Sequence, residues 1–384
     1  MPHPRCLLPL PVLGLALLAG LPRGAAAQPA PVPADATTSG VFEEAFVSGI
    51  SLLHDNDGWP HPGNSFRDDN YSAGLEIRVN GRIVARAGLT RPLEGLDWLT
   101  RVGRRHTRGT RRFHSAQAIG LAYTPDVLDT DEPQRDDRPF ASFVGLAVRR
   151  TSVHGPRLDR AWSSEFVVGA LGLDAARRVQ TILHRTRRWM TGNPTPVDPL
   201  GWTNQISAGG EPTALYRVGY ERLLAGAGAG AARKHWQVTG ALDGSVGYQT
   251  NASGAIAARV GAFSSEFWEF SSGIRSAGVG RQQPVAVGVS RWEFFAFGLA
   301  RPRVVGWNAL LQGQFRDSVH TVRVKRLIGE WEGGVGASLP MGPWHLQTVW
   351  QFVQGRTTEF VAPKARLYTW GTIMLMVSRE ARSR

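Results

Sequence analysis

Long runs in which apolar and polar residues alternate with a period of two constrain this chain more than any other feature. In HWQVTGALDGSVGYQ, Trp236, Val238, Leu242, Val246 and Tyr248 fall on one side, and His235, Gln237, Thr239, Asp243, Ser245 and Gln249 on the other. KRLIGEWEGGVGASL sets Leu327, Trp331, Val335 and Leu339 against Arg326, Glu330, Glu332 and Ser338. WHLQTVWQF sets Trp344, Leu346, Trp350 and Phe352 against His345, Gln347 and Gln351. Successive side chains of a strand point to opposite faces, so this is a β pattern. The runs exceed the roughly five or six residues usual in soluble strands, and they carry aromatics near their ends. Long dyad strands with aromatic ends fit an all-β fold, a transmembrane antiparallel β-barrel with its apolar side to lipid and its polar side to the lumen. A large secreted β-sandwich or lipocalin-like barrel is the competing reading. About twelve strands are expected, starting near Phe46, Tyr71, His114, Phe140, Trp162, Thr213, His235, Ala255, Trp292, Lys325, Trp344 and Leu367.

The amino terminus fits that location. MPHPRCLLPLPVLGLALLAGLPRGAAAQ has the basic, apolar and small-residue regions of a secretory signal, expected to span residues 1–27. A Pro/Ala-rich linker is expected over 28–44 and the barrel over 45–384. The single cysteine, Cys6, lies within the signal, so no disulfide staples the processed chain. No later segment has the eighteen or so uninterrupted apolar residues of a spanning helix. The net charge of +13 comes almost wholly from arginine, the lysines being Lys234, Lys325 and Lys364. Such a balance in an exported chain points to an anionic partner. Anionic lipid is favoured, since there is no nucleic-acid-binding motif and nucleic acid is not expected as a partner.

Strand parity sorts the connections. With a periplasmic amino terminus, the odd-to-even connections are external. They include HDNDGWPHPGNSFRDDNY (54–71) and YTPDVLDTDEPQRDDRPF (123–140), both rich in hard oxygen ligands. The basic run RVGRRHTRGTRR, Arg101 to Arg112, is expected on the opposite side as a solvated turn. One segment, LDAARRVQTILHRTRRWMTG, breaks the period of two. Asp174 suits an N-cap and Gly192 a helix stop, with Val179, Ile182, Leu183 and Trp189 as a core-facing stripe. Gln180 and His184, four apart, share a face, with Arg177 and Arg188 about a turn to either side. A histidine there can act as general base, a glutamine can orient it or the substrate, and arginines suit phosphates. A solvated surface helix is the plainer alternative. Downstream, LGWTNQISAGGEP supplies Trp202, Asn204 and Gln205.

Several ordered motifs carry a resemblance: Asn56-Asp57; Asp69-Asn70-Tyr71-Ser72-Ala73-Gly74-Leu75; Asp137-Arg138-Pro139-Phe140-Ala141; Gln180-x-x-x-His184; and Gly201-Trp202-x-Asn204-Gln205. In this order, over nearly the whole processed chain, they resemble the outer-membrane lipid A 3′-O-deacylases. That resemblance implies a twelve-stranded barrel in the bacterial outer membrane, with a site between its wall and an external-loop helix. It implies calcium-dependent hydrolysis of the 3′-linked acyl ester of lipid A, at the external leaflet. His184 would be the base and Gln180 a positioning group, while Asn56 and Ser72 would complete the catalytic set. Asp57 and Asp69 are the expected ligands for Ca²⁺, and Arg177, Arg188 and Trp202 the expected substrate contacts. Lipid A or lipopolysaccharide and other outer-membrane lipids are the expected partners, and a monomer suffices. The chain departs from the family at two points; one is the loop His54–Asn70, rich in possible ligands beyond the Asn56-Asp57 pair. A lysine usual in the loop after the third strand is missing, and that loop instead carries Asp126, Asp129, Asp131 and Glu132. No Gly-x-Ser-x-Gly elbow is present for serine chemistry. An outer-membrane phospholipase or esterase, and a non-catalytic lipopolysaccharide-binding or channel-forming barrel, stand as alternatives.

Overall fold

Alternation becomes architecture once the strands pair. The computed structural model describes residues 44–57, 70–108, 111–192, 194, 197–229, 231–270 and 292–379. The signal, the linker before Glu44, and the loop holding Asp69 lie outside the described residues. The strands are β1 (Gly49–Asn56), β2 (Ala73–Asn80), β3 (Arg111–Tyr123), β4 (Ala141–His154), β5 (Arg160–Leu171), β6 (Glu211–Gly226), β7 (Lys234–Gly247), β8 (Gln249–Phe263), β9 (Glu293–Asn308), β10 (Arg323–Val324), β11 (Leu327–Met341), β12 (Trp344–Arg356), β13 (Phe360–Val361) and β14 (Tyr368–Arg379). Twelve of them form a closed antiparallel barrel, and β10 and β13 pair apart from it. β1 bonds to both β2 and β14, Leu53 lying opposite Glu76 on one side and Met374 on the other. Closure leaves no unpaired edge, as a backbone in hydrocarbon requires.

The outer face is apolar where the pattern put it. Ile50, Leu52, Leu75, Ile77, Leu146, Leu242, Ile256, Leu339 and Trp350 are all exposed. The alternate positions are buried and charged. Glu330 takes Arg356 at 2.6 Å, Arg303 at 3.1 Å and Arg301 at 3.4 Å, while Arg217 meets Glu165 at 3.2 Å. These pairs join neighbouring strands on the lumen side of the wall, so buried charge is matched by opposite charge. Arg326, expected among them, instead lies exposed and donates to the carbonyls of Val305 and Gly306. An aromatic cluster containing Tyr71, Tyr123, Phe143, Tyr248 and Trp370 fills the end nearest the β1–β2 connection. Tyr248, expected on the lipid side with Trp236, stacks on Phe143 at 4.8 Å.

Helices lie outside this pattern. Between β2 and β3 run α1 (Arg82–Arg86), α2 (Arg91–Leu99) and α3 (Gly103–Thr107); α4 (Ala175–Thr191) follows β5, and α5 (Ala309–Gln312) follows β9. The basic run Arg101–Arg112 is therefore no solvated turn. It forms α3 and the first residues of β3, and His106 within it is fully buried.

Candidate active site at the barrel rim

Strand register assembles one half of the site. Asn56 lies opposite Ala73, Ala73 opposite Ala122, and Ala122 opposite Ser142, a level row across β1 to β4. At about 4.8 Å per strand the row is roughly 14 Å wide. On the rim above it, Asn56 Nδ2 donates to the Ser72 carbonyl at 2.8 Å. The Ser72 hydroxyl shares a hydrogen bond with Thr124 at 2.5 Å, and the Asn70 amide donates to the Thr124 carbonyl at 2.9 Å. Asp57 is buried directly after Asn56. Asp55, one residue earlier, points into the lumen, where Tyr71 and Thr372 hydroxyls donate to it at 2.8 and 2.5 Å. Asp55 and Asp57, two apart, share the inward side of the alternation, but β1 ends at Asn56, so Asp55 is a lumen lock within the strand and Asp57 lies at the rim beyond it.

Helix α4 supplies the other half. Gly172 makes the turn out of β5 with φ +70°, and a Cβ there would sit 2.0 Å from the Ser207 carbonyl oxygen, so only glycine fits. Asp174 holds the N-cap position, but its carboxylate makes no cap. It pairs with Arg177 at 2.6 Å and Arg178 at 3.2 Å, and these hydrogen bonds hold it down at about 2. Gly192, at φ 65°, ends the helix as expected, its N–H bonding the Arg188 carbonyl.

The helix lies the other way round from the sequence reading. Val179, Ile182 and Trp189 are 56%, 63% and 84% exposed, while Gln180 and His184 are only 6% and 7% exposed. A core-facing stripe presumes water outside; outside this barrel is hydrocarbon, so the apolar face turns outward and the polar face meets the wall. Ala176, one turn before Gln180, packs on the cluster of Ala122, Leu128, Phe140 and Trp202. Ala122 belongs to the Asn56 row, so α4 and the rim groups share one quadrant of the wall.

Buried hydrogen bonds orient both polar side chains. Trp202, in a short 3-10 turn (Gly201–Asn204), donates Nε1–H to Gln180 Oε1 at 2.8 Å and packs on Phe140 at 5.0 Å. His184 Nδ1 lies 2.6 Å from the Val197 carbonyl, which can only accept. Nδ1 therefore carries the proton and Nε2 keeps its lone pair, the form required of a base. The next residue, Asp198, receives Arg185 at 2.8 Å and Arg188 at 2.6 Å. Those bonds, Arg185 first, hold its carboxyl at about 2 and pin the loop that orients His184. Arg177 and Arg188, singled out for substrate phosphates, are thus engaged with Asp174 and Asp198. Trp202, singled out as a substrate contact, is buried beneath Gln180.

The oxygen donors suit a hard cation. Asp57 offers a carboxylate, Asn56 and Asn70 amide oxygens, and Ser72 and Thr124 hydroxyls. Asn70 is wholly buried at φ 65°, and its side-chain amide atoms have no hydrogen-bond partner among the described residues. No group of three His, Cys, Asp or Glu side chains that could hold a metal occurs among the described residues, so a ligand set here leans on amide and carbonyl oxygens. In the acidic β3–β4 loop, the cation nearest Asp136 is Lys364, at 3.0 Å, brought from the β13–β14 connection. Asn204 and Gln205 serve as framework: Asn204 donates to the Asp131 carbonyl, and Gln205 Oε1 accepts from Ser142 at 2.8 Å. Thr124 and Asp198 escaped the sequence reading, and Asn70 entered it only as part of a motif, because only register and loop closure bring them to the site.

Among solved structures, LpxR from Salmonella typhimurium shares 15% identity over 86% of this chain and 99% of its own, with a TM-score of 0.62. The beta domain of the Bordetella autotransporter Brka, at 9% identity over 87% and 99%, reaches a TM-score of 0.38, too low to bear on the argument. A search of curated proteins gives no match. The family described as outer membrane protein LpxR matches residues 13–379. Its reach across all twelve strands and every rim motif is decisive: the chain belongs to the LpxR family of outer-membrane proteins.

Proposed function

We propose that the site between α4 and the barrel wall hydrolyses an acyl ester of lipid A, the 3′-linked chain in particular, at the external leaflet. The observation that carries this reading is the reversed helix. Its apolar face lies to lipid while Gln180 and His184 face the wall, so an amphiphile in the bilayer can reach a base without leaving hydrocarbon.

In this mechanism His184 Nε2 takes a proton from water as the water oxygen attacks the ester carbonyl. The tetrahedral oxyanion collapses, the carbon–oxygen bond to the sugar breaks, and the imidazolium returns its proton to the leaving alkoxide. The products are a fatty acid and a sugar hydroxyl. Gln180, its Oε1 held by Trp202, would orient the substrate carbonyl through its side-chain amide. Asn56, Ser72 and Thr124 form the polar wall on the other side. Asp57, Asn56 and Asn70 would hold Ca²⁺, together with Asp69 from the adjoining loop. Bound there, the ion supplies Lewis-acid polarisation of the carbonyl and charge stabilisation.

The test is to refold the chain in detergent, supply lipid A with calcium or with chelator, and read masses, with His184→Ala in parallel. A mass loss of one acyl or acyloxyacyl group that needs both calcium and His184 is expected. Turnover unaffected by His184→Ala would refute the mechanism. Hydrolysis of phospholipid but not lipid A would transfer the same chemistry to a phospholipase, the reading that the missing loop lysine favours.

A further inference from the structure

The connection between β2 and β3 leaves the barrel at the rim opposite α4, because β2 runs from Ala73, in the site row, down to Asn80. Instead of crossing the opening, it lies against the outer wall. On β4, Arg150 and Ser152 share a side with lipid-facing Val144 and Leu146, and the alternate residues Arg149 and Thr151 bond each other inside. Ser164 of β5 shares its side with exposed Val168, and Tyr216 of β6 with exposed Ala214. These outward groups hold the helices. Asp97 accepts from Ser164 at 2.9 Å and from Tyr216 at 2.8 Å, with Arg150 at 3.5 Å. His106 Nδ1 bonds Ser152 at 2.7 Å and Nε2 bonds Ser164 at 2.9 Å. Thr100 bonds Tyr216 at 2.9 Å, and Arg105 lies over the Trp162 ring at 5.4 Å.

A polar latch this complete, on a wall otherwise given to lipid, fixes which side of α2 and α3 faces away. That side carries Trp98 and Leu99, 79% and 70% exposed, beside exposed Leu89. Around them Arg86, Arg91, Arg101, Arg104, Arg105 and Arg108 are exposed, with Glu94 the one exposed acid on α1–α3. Large apolar groups inside a ring of arginines match the boundary between acyl chains and phosphate headgroups. Arginine suits phosphate through its bidentate donors.

We propose that α1–α3 form an interfacial anchor that binds anionic glycerophospholipid headgroups, with Trp98 and Leu99 in the acyl boundary. The assignment to the inner, phospholipid leaflet rests on α4 facing the external one; the binding itself does not.

The test uses the full chain refolded into bilayers of equimolar phosphatidylglycerol and phosphatidylcholine. Native mass spectrometry reads which lipids stay bound on release. Wild type is expected to retain phosphatidylglycerol preferentially. The combined variant Arg91→Gln, Arg101→Asn, Arg108→Gln should lose that preference by about fivefold per arginine removed. Arg323→Gln, at the opposite rim, should change nothing. In Trp98→Cys carrying a nitroxide, collisions with oxygen should exceed those with a water-soluble nickel chelate. Equal retention of both lipids by wild type would overturn the proposal, as would a water-exposed label or a dimer that hides Trp98. Loss of lipid A hydrolysis with phosphatidylglycerol binding intact would count against the active-site reading alone.

Discussion

Replacing Trp202 with phenylalanine separates attachment of α4 from stability of the barrel. The indole is buried, packs on Phe140 at 5.0 Å, and gives its one donor to Gln180 Oε1 at 2.8 Å. Phenylalanine keeps most of the ring contact but strands a buried acceptor, a cost of about 1–3 kcal/mol. The helix meets the wall through a narrow face centred on Ala176, Gln180 and His184, so this cost falls on local detachment. Amide exchange in α4 should therefore quicken between about 5-fold and 150-fold, since each 1.4 kcal/mol is a factor of about ten. Strands β7 to β9, on the far side of the barrel, should exchange as in wild type. Hydrogen-exchange mass spectrometry in bilayers or detergent reads both at once. Unchanged exchange in α4, or equal acceleration in all strands, would refute the attachment argument. The turnover number on lipid A should fall in parallel.

Further expectations concern single groups. Asp198→Asn loosens the loop whose carbonyl orients His184; the turnover number should fall about 10- to 100-fold with KM little changed, and Asp198→Glu should restore part of it. His106, lowered to about 3 by burial first and by the Arg150 charge second, stays neutral when folded. Below its unfolded value near 6.5 the unfolded chain gains a proton that the folded chain refuses. Stability should then fall by about 1.4 kcal/mol per pH unit from there down to about pH 3. Denaturant midpoints of wild type and His106→Gln should diverge across that window; parallel curves would contradict the buried latch. Leu146→Arg, on the lipid face, should destabilise the barrel by about 2–4 kcal/mol near the bilayer midplane, whereas Arg157→Leu, in the exposed β4–β5 turn, should be nearly silent.

The barrel was legible because strands facing lipid on one side and a charged lumen on the other preserve the period of two intact. Expected and observed starts agree within about three residues at most strands, and the largest slip is at β8, expected near Ala255 and begun at Gln249. There Thr250 and Asn251 sit at a register shift, which blurs the alternation. The helices α1–α3 were not legible. At 5, 9 and 5 residues they show too few turns for a period to emerge. Their anchors, Ser152, Ser164 and Tyr216, lie far along the chain. Gln180 and His184 stood out by spacing, yet the face they occupy was misjudged because the stripe rule assumes an aqueous exterior. Thr124 carries no local signal and Asn70 stood out only within its motif; continuation of the β2–β3 pairing past Ala73 and Ala122 brings them together.

The outward apolar face of α4 also decides how the protein should be assayed. A substrate that arrives sideways through the bilayer is counted per lipid, not per litre. At fixed bulk lipid A, adding inert detergent or phospholipid should slow turnover in proportion to surface dilution, while dilution with buffer should leave the rate per enzyme unchanged.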